Sequence, residues 1–357
     1  MSPLVTFDIN AIILGMVVVV LVIFGLVGLG FIIFTLFRWR GRENRSIDSV
    51  LLQIAVPRGN EIKIDAMEQL FAGLFAIKKG GWKQRFSVQP TISFEIVARP
   101  EDIKFYVWTP KSLKDLVEKQ IHGAYQDAEI LEIDEYNIFT KDGKVAYKSL
   151  QLKKQNYYPV KVFKDLPTDP LAAITSTLGK MGEGEAAAIQ VLISPAGSDW
   201  QKQGNKFIAD TKKQESDPEK AKFSVPAKTL EAVESKIAKP GFEVSIRIIA
   251  VAPQKGMADA HLRNIVGAFE QFSSELSGFK KRKIRRKGTF MEDFLYRYQP
   301  MFHLFGNRQS ILNSEELATI YHFPNKLVTT PHIYWLYAKT TPAPAEVPTQ
   351  GLYLGMS

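Results

Sequence analysis

Residues Ala11 to Phe37 form one uninterrupted apolar run, and nothing else constrains the chain as strongly. These 27 residues contain no charge, Val, Ile, Leu and Phe supply most of them, and only Thr35 is notably polar. At about 1.5 Å per residue the run gives roughly 40 Å of helix, enough to cross a ~30 Å hydrocarbon core with some tilt. Roughly 20 strongly apolar side chains at about −0.3 to −0.6 kcal/mol each make insertion favourable by several kcal/mol. The run at 11–37 therefore reads as a retained transmembrane helix. A cleaved signal peptide fits poorly, because there is no basic leading segment, the stretch is too long, and no small-x-small site follows it. Gly25, Gly28 and Gly30 form no strict small-xxx-small pair and read as ordinary membrane-helix glycines.

Orientation follows from the flanks. Residues 1–10 carry one side-chain charge, Asp8, whereas Arg38, Arg40, Arg42 and Arg45 come directly after the run. Positive residues stay on the cytoplasmic side, so the expectation is a single-pass protein of the cytoplasmic (inner) membrane. Its short N-terminus, 1–10, lies outside and roughly 320 residues lie in the cytoplasm. In the basic juxtamembrane segment, 38–48, Arg38, Trp39, Arg40 and Arg42 are expected at the membrane interface.

The cytoplasmic part is long enough for about two ordinary domains, and with 45% hydrophobic residues overall it can bury real cores. The absence of cysteine excludes disulfides, thiolate metal sites and cysteine nucleophiles. A net charge of +9 suits a protein beside anionic lipid or nucleic acid.

From Ser46 onward strand and helix patterns alternate. Val50–Val56 reads as a strand, and Asp65–Lys78 as a helix with Met67, Leu70, Phe71, Leu74 and Phe75 on one face. Thr91–Arg99 and Ile103–Trp108 follow as strands, then a helix over Ser112–Asp127 capped by Ser112, then a strand over Glu129–Phe139. This β-α-β-β-α-β order defines a ferredoxin-like domain over 49–140. A second such domain is expected over 141–288. Its strands fall at Tyr158–Phe163, Ala186–Ser194, Phe242–Ala252 and Phe279–Lys287, with helices at Pro170–Met181 and Met257–Ser274. It carries an insertion at 195–240, with helices near Asp199–Lys213 and Lys228–Ile237 around a charged linker, Gln214–Lys222. The fold class is thus α+β: one transmembrane helix, two ferredoxin-like domains and a helical and linker tail.

That tail, 289–339, opens with a helix over Thr289–Tyr298. At Leu312-Asn313-Ser314-Glu315-Glu316-Leu317, Asn313 can cap a helix while Glu316 reaches back and Leu312 staples onto Leu317; Phe323-Pro324 stops it. Pro331–Tyr337 is strand-like. Residues 340–357 read as a Pro-rich linker and the apolar start of a further domain.

No Gly-x4-Gly-Lys-Ser/Thr loop occurs, and Gly179–Glu185 sets two carboxylates where an anion would sit, as in a plain helix-to-strand turn. His122, His261, His303, His322 and His332 lack metal-ligand spacing, and no Gly-x-Ser-x-Gly elbow is present. No catalytic residue, metal or cofactor is expected. The strongest local signal is basic: in Lys280, Lys281, Arg282, Lys283, Ile284, Arg285, Arg286 and Lys287, seven of eight residues are cationic. Such a run can contact DNA or phospholipid phosphates, or simply form a solvated, aggregation-resistant sheet edge. In Lys104-Phe105-Tyr106-Val107-Trp108, alternation sets Tyr106 and Trp108 on one face; buried packing is favoured over base stacking.

Several segments together resemble one known group. They are the N-terminal span, Leu51-Leu52-Gln53-Ile54-Ala55-Val56-Pro57 with the helix Ala66–Ile77, Glu316-Leu317-Ala318-Thr319-Ile320-Tyr321-His322-Phe323-Pro324, and the closing Gly351–Ser357. The chain resembles the membrane-proximal N-terminal region of type IV secretion conjugative DNA-transfer ATPases, HerA-FtsK-like proteins of small-genome candidate-phylum bacteria. The resemblance implies that ATPase activity belongs to a C-terminal domain or partner subunit beyond this sequence. It implies a role in anchoring and organising that ATPase, with the bilayer, the ATPase, DNA and further copies of the chain as partners. The alternative is a structural membrane adaptor for protein assembly with no DNA role.

Overall fold

The computed structural model describes residues 9–81, 88–100, 102–215, 225–300 and 309–336. The linker expected at 340–357, most of the charged linker and residues 1–8 lie outside the described residues. Helix α1 (Ile9–Arg38) is continuous, with its apolar side chains exposed; Phe24 is 74% exposed. It is long and apolar enough to span a membrane. The Thr35 hydroxyl donates to the Phe31 carbonyl at 2.8 Å, so the polar side chain is satisfied within the helix itself. Gly41, at φ 73°, takes the left-handed turn that only glycine enters without strain, and the short α2 (Arg42–Ile47) follows.

The body then runs β1 (Ser49–Ala55), α3 (Ile64–Leu74), β2 (Ile92–Arg99), β3 (Asp102–Pro110), α4 (Lys114–Ala124) and β4 (Glu129–Ile133). It continues with β5 (Lys144–Leu152), α5 (Pro170–Leu178), β6 (Ala186–Pro195), α6 (Asp199–Glu215), α7 (Ala227–Ile237) and β7 (Gly241–Ala252). Last come α8 (Lys255–Ala268), β8 (Phe279–Lys281), α9 (Lys287–Leu295), β9 (Ser310–Asn313) and α10 (Ser314–Ile320). Among the described residues the strands make one nine-stranded sheet in the order β4-β1-β3-β2-β6-β7-β5-β8, with β9 added to β7. Its ladders are antiparallel. The β2–β6 ladder, from Ile92 opposite Ile193 to Ala98 opposite Ala187, joins the first four strands to the rest. The chain is therefore α+β, with one N-terminal apolar helix and a large antiparallel sheet.

Alternation divides the sheet residues between two faces. One face packs Phe94, Phe105, Val191 and Ile246 against Phe71 of α3, Ile121 of α4, Ile174 of α5, Ile265 of α8 and Leu317 of α10. The other carries Leu51, Tyr106, Trp108, Ala188 and Ile249 beneath Ile138 and the α9 residues Phe290 and Phe294. The inserted helices α6 and α7 form a third cluster through Trp200, Ile208 and Val233. There the Trp200 ring lies so close to Gly241 that an added Cβ would meet it at 2.5 Å.

Several element boundaries differ from the sequence expectation. The strand expected at Tyr158–Phe163 is absent; that segment is a loop pinned from both sides, its Val160 N–H donating to Glu316 and its Lys161 N–H to the Phe272 carbonyl. The position is filled instead by β5, whose alternation is masked by Lys144 and Lys148 at the exposed end of the sheet. Ser112 does not cap its helix. A 3-10 turn at Lys111–Leu113 precedes α4 and makes Leu113 the cap residue. The strand expected over Phe279–Lys287 ends at Lys281, because the chain turns away to begin α9. By contrast, Asn313 caps α10, and Asn313 and Glu316 close a reciprocal capping box.

Candidate functional site

The residues of the basic run do not share one environment. Lys280 and Lys281 pair through their backbones with Gln151 and Leu150 and expose their side chains. Lys283, Arg285, Arg286 and Lys287 are also exposed on the way into α9. Arg282 differs: its N–H donates to the Ser149 carbonyl at 2.8 Å and its guanidinium is drawn inward. Burial lowers its pKa, opposed by the neighbouring Asp293.

The juxtamembrane residues meet the folded body. The Arg42 guanidinium lies 4.3 Å over the Tyr298 ring. The Ser46 hydroxyl donates to the Tyr296 carbonyl at 2.7 Å. Burial raises the Glu243 carboxyl above its ordinary range, and the charge of Arg38 opposes that rise. Arg40 is exposed, and Trp39 is half-buried at the rim of a cavity of about 370 Å³.

Beneath this junction runs a polar row that sequence periodicity does not reveal. Gln53, Tyr106, Glu95, Gln190, Arg247 and Ser149 stand opposite one another across six consecutive strands. All are buried. The Glu95 carboxylate accepts from Ser93 Oγ (2.6 Å), Tyr136 OH (2.6 Å), Gln190 Nε2 (3.0 Å) and Arg297 Nε (2.7 Å). Burial alone would raise its pKa; the Arg297 guanidinium and these donors outweigh that and hold it below the usual range. Arg247 donates to Gln190 Oε1 (2.8 Å) and the Asp293 carbonyl (2.8 Å), and also to the Tyr298 carbonyl. Burial pulls Arg247 down to about 10.

Arg297 links this row to the surface, since it also contacts the largely exposed Glu135 at 2.9 Å. It does so from φ 52°, a left-handed conformation that costs a non-glycine residue about 1–2 kcal/mol and persists only where the surroundings fix it. The segment from α9 to Gln299 is thus fastened to the middle of the sheet, and the juxtamembrane residues rest on that segment.

The segment from Glu316 to Pro324 serves the interior. All of α10 is buried. Lys236 Nζ meets Glu316 Oε2 at 3.0 Å, both side chains 1% exposed. Burial lowers the Lys236 pKa against the opposing pull of Glu316. Thr319 Oγ1 accepts the Phe163 N–H at 3.0 Å. His322 Nδ1 reaches the Ala318 carbonyl at 2.8 Å and Nε2 reaches Asp169 at 2.9 Å, so both ring nitrogens face acceptors. Tyr106 and Trp108 are buried too: Tyr106 stacks on Tyr136 at 5.2 Å and Arg297 lies over Trp108 at 5.6 Å.

A signal for the polar row exists in the sequence all the same. Glu95, Gln190 and Arg247 each lie between two apolar neighbours in a mainly apolar strand, and such interruptions on a shared face imply mutual satisfaction. Fold and site together define an α+β sheet protein with an apolar N-terminal helix and a charged row buried at its centre. The chain belongs to the family described as a domain of unknown function, DUF8128, whose model matches residues 43–336. No curated protein matches it.

Proposed function

We propose that the chain is a single-pass platform of the cytoplasmic membrane that positions a DNA-translocating ATPase of the type IV secretion kind. Its N-terminus lies outside, and its body is two ferredoxin-like units fused edge to edge. The β4-β1-β3-β2 and β6-β7-β5-β8 orders support the two-unit reading, each being the same connectivity met from opposite edges. The observation that carries the platform role is the coupling of span to body. Arg42 on Tyr298 and Ser46 on Tyr296 leave little slack between α1 and the sheet, as positioning requires and tethering alone does not. The ATPase partnership rests on the sequence resemblance.

The test is purification of the full chain from its native membrane in mild detergent. Copurification of a subunit or domain with a phosphate-binding loop is expected; its consistent absence would contradict the motor partnership. DNA contact through Lys280, Lys281, Lys283, Arg285, Arg286 and Lys287 is checked separately. Replacing them with Gln should flatten the salt dependence of DNA binding by about 0.9 in log–log slope for each phosphate no longer neutralised. The edge position of Lys280 and Lys281 favours the second reading, an assembly adaptor without a DNA role. Absence of DNA binding by the unaltered protein would select it.

A further inference from the structure

We infer that the cavity below the membrane helix is a binding site for an anionic phospholipid headgroup. This rests on the membrane span alone and not on the ATPase partnership. The cavity, about 370 Å³, lies where α1 meets the body and is lined by Trp39, Arg45, Lys79, Trp108, Tyr296 and Gln299. That volume suits a phosphodiester with a small polar substituent, its acyl chains lying outward in the adjoining bilayer.

Gln299 supplies the built part of the site. It is only 6% exposed, and its Oε1 accepts from Ser245 Oγ at 2.9 Å. Its Nε2 is buried with no acceptor among the described residues. A buried donor left unpaired costs about 1–3 kcal/mol, so a turn of this amide toward a ligand oxygen in the cavity would remove a penalty as well as add a bond. The charge balance favours an anion. Arg45 and Lys79 are exposed at the cavity, and among the described residues their head groups donate to the carbonyl oxygens of Arg40 and Val88. Asp48, the one carboxylate among the described residues lining the cavity, faces Lys111 at 3.8 Å, and Arg42 adds a further cation to the lining. Arg297, also lining the cavity, is already committed to Glu95 and Glu135. The flanking Trp39 and Tyr296 suit the membrane–water boundary, where amphipathic rings reside.

A lipid headgroup is favoured over free phosphate because the cavity borders the end of the span, where bilayer phosphates lie. The test titrates the full chain, in neutral detergent, with short-chain phosphatidylglycerol, short-chain phosphatidylcholine and inorganic phosphate, following tryptophan fluorescence from Trp39 and Trp108. Saturable binding of phosphatidylglycerol is expected, with phosphatidylcholine and inorganic phosphate each weaker by about tenfold or more. Arg45→Gln with Lys79→Gln should weaken phosphatidylglycerol binding by about tenfold or more. Gln299→Leu should weaken it without changing net charge. The charge-matched pair Lys119→Gln and Lys202→Gln, both exposed and away from the cavity, should leave binding unchanged. Retained melting temperatures establish folding, and native mass spectrometry of the unaltered protein reads copurified phosphatidylglycerol where a cavity variant unfolds. The inference is overturned if phosphatidylglycerol does not saturate, if inorganic phosphate binds equally well, or if the control pair weakens binding as much as the cavity pair.

Discussion

Glu95 and Arg297 are the residues on which the sheet's second face depends. Glu95 is fully buried, so breaking its pairing with Arg297 costs far more than losing the contact Arg297 makes with the largely exposed Glu135. Removing one partner leaves an uncompensated buried charge, which costs about 3–5 kcal/mol. Arg297→Met should therefore lower the melting temperature of the detergent-solubilised protein by roughly 10 °C, whereas Glu135→Gln should change it by little. The pH dependence follows from the same pair. Because the Glu95 pKa is held below its unfolded value near 4.5, its stabilisation is complete above that pH and is lost as pH falls through the lower folded value. Acid melting curves should show this loss in the unaltered protein, and Glu95→Gln should flatten it. An equal acid dependence in the variant would place the titrating group elsewhere. Lys236 and Glu316 obey the same logic: Lys236→Met should destabilise strongly, and replacing both should recover only part of the loss, because Glu316 also accepts the Val160 and Asn313 N–H groups.

Elements are legible in the sequence where local chemistry acts alone. The capping box at Asn313 and Glu316 depends on residues three apart, so it can be read directly, and Asn313→Ala should cost about 1 kcal/mol or more in melting experiments. The apolar faces of α3 and α4 are visible in Met67, Leu70, Phe71, Val117 and Ile121 for the same reason. Strand β5 is hidden because Lys144 and Lys148 sit where an alternating strand would show apolar residues. Tyr158–Phe163 resembles a strand because its apolar residues are drawn inward on a loop whose backbone is pinned to Glu316 of α10 and to the Phe272 carbonyl, just past α8. The polar row cannot be seen at this scale. Its members come from six strands, and only the ladder registers bring Glu95 beside Gln190 and Gln190 beside Arg247. Periodicity places Arg297 within a helix, whereas it lies just past the end of α9 in a left-handed turn. The cavity at Gln299 is equally hidden, being assembled from segments far apart in the chain.

At the scale of the whole molecule, one continuous sheet joins both halves, and the segment clamped across its centre carries the residues on which the juxtamembrane arginines rest. Arg42 against Tyr298 and Ser46 against Tyr296 thus hold the segment after α1 to the body. Deleting residues 1–38 should release the body into the soluble fraction with its melting behaviour largely kept, since the cores lie in the sheet and its helices. Persistent membrane association of that variant would move the anchor to another part of the chain. The sidedness of the span is directly measurable, because the sequence holds no cysteine. Single cysteines at Ser2→Cys and Lys202→Cys, exposed to a membrane-impermeant maleimide in intact spheroplasts, should react at position 2 at once and at position 202 only after lysis. Labelling of position 202 in intact spheroplasts, with position 2 protected, would contradict the account.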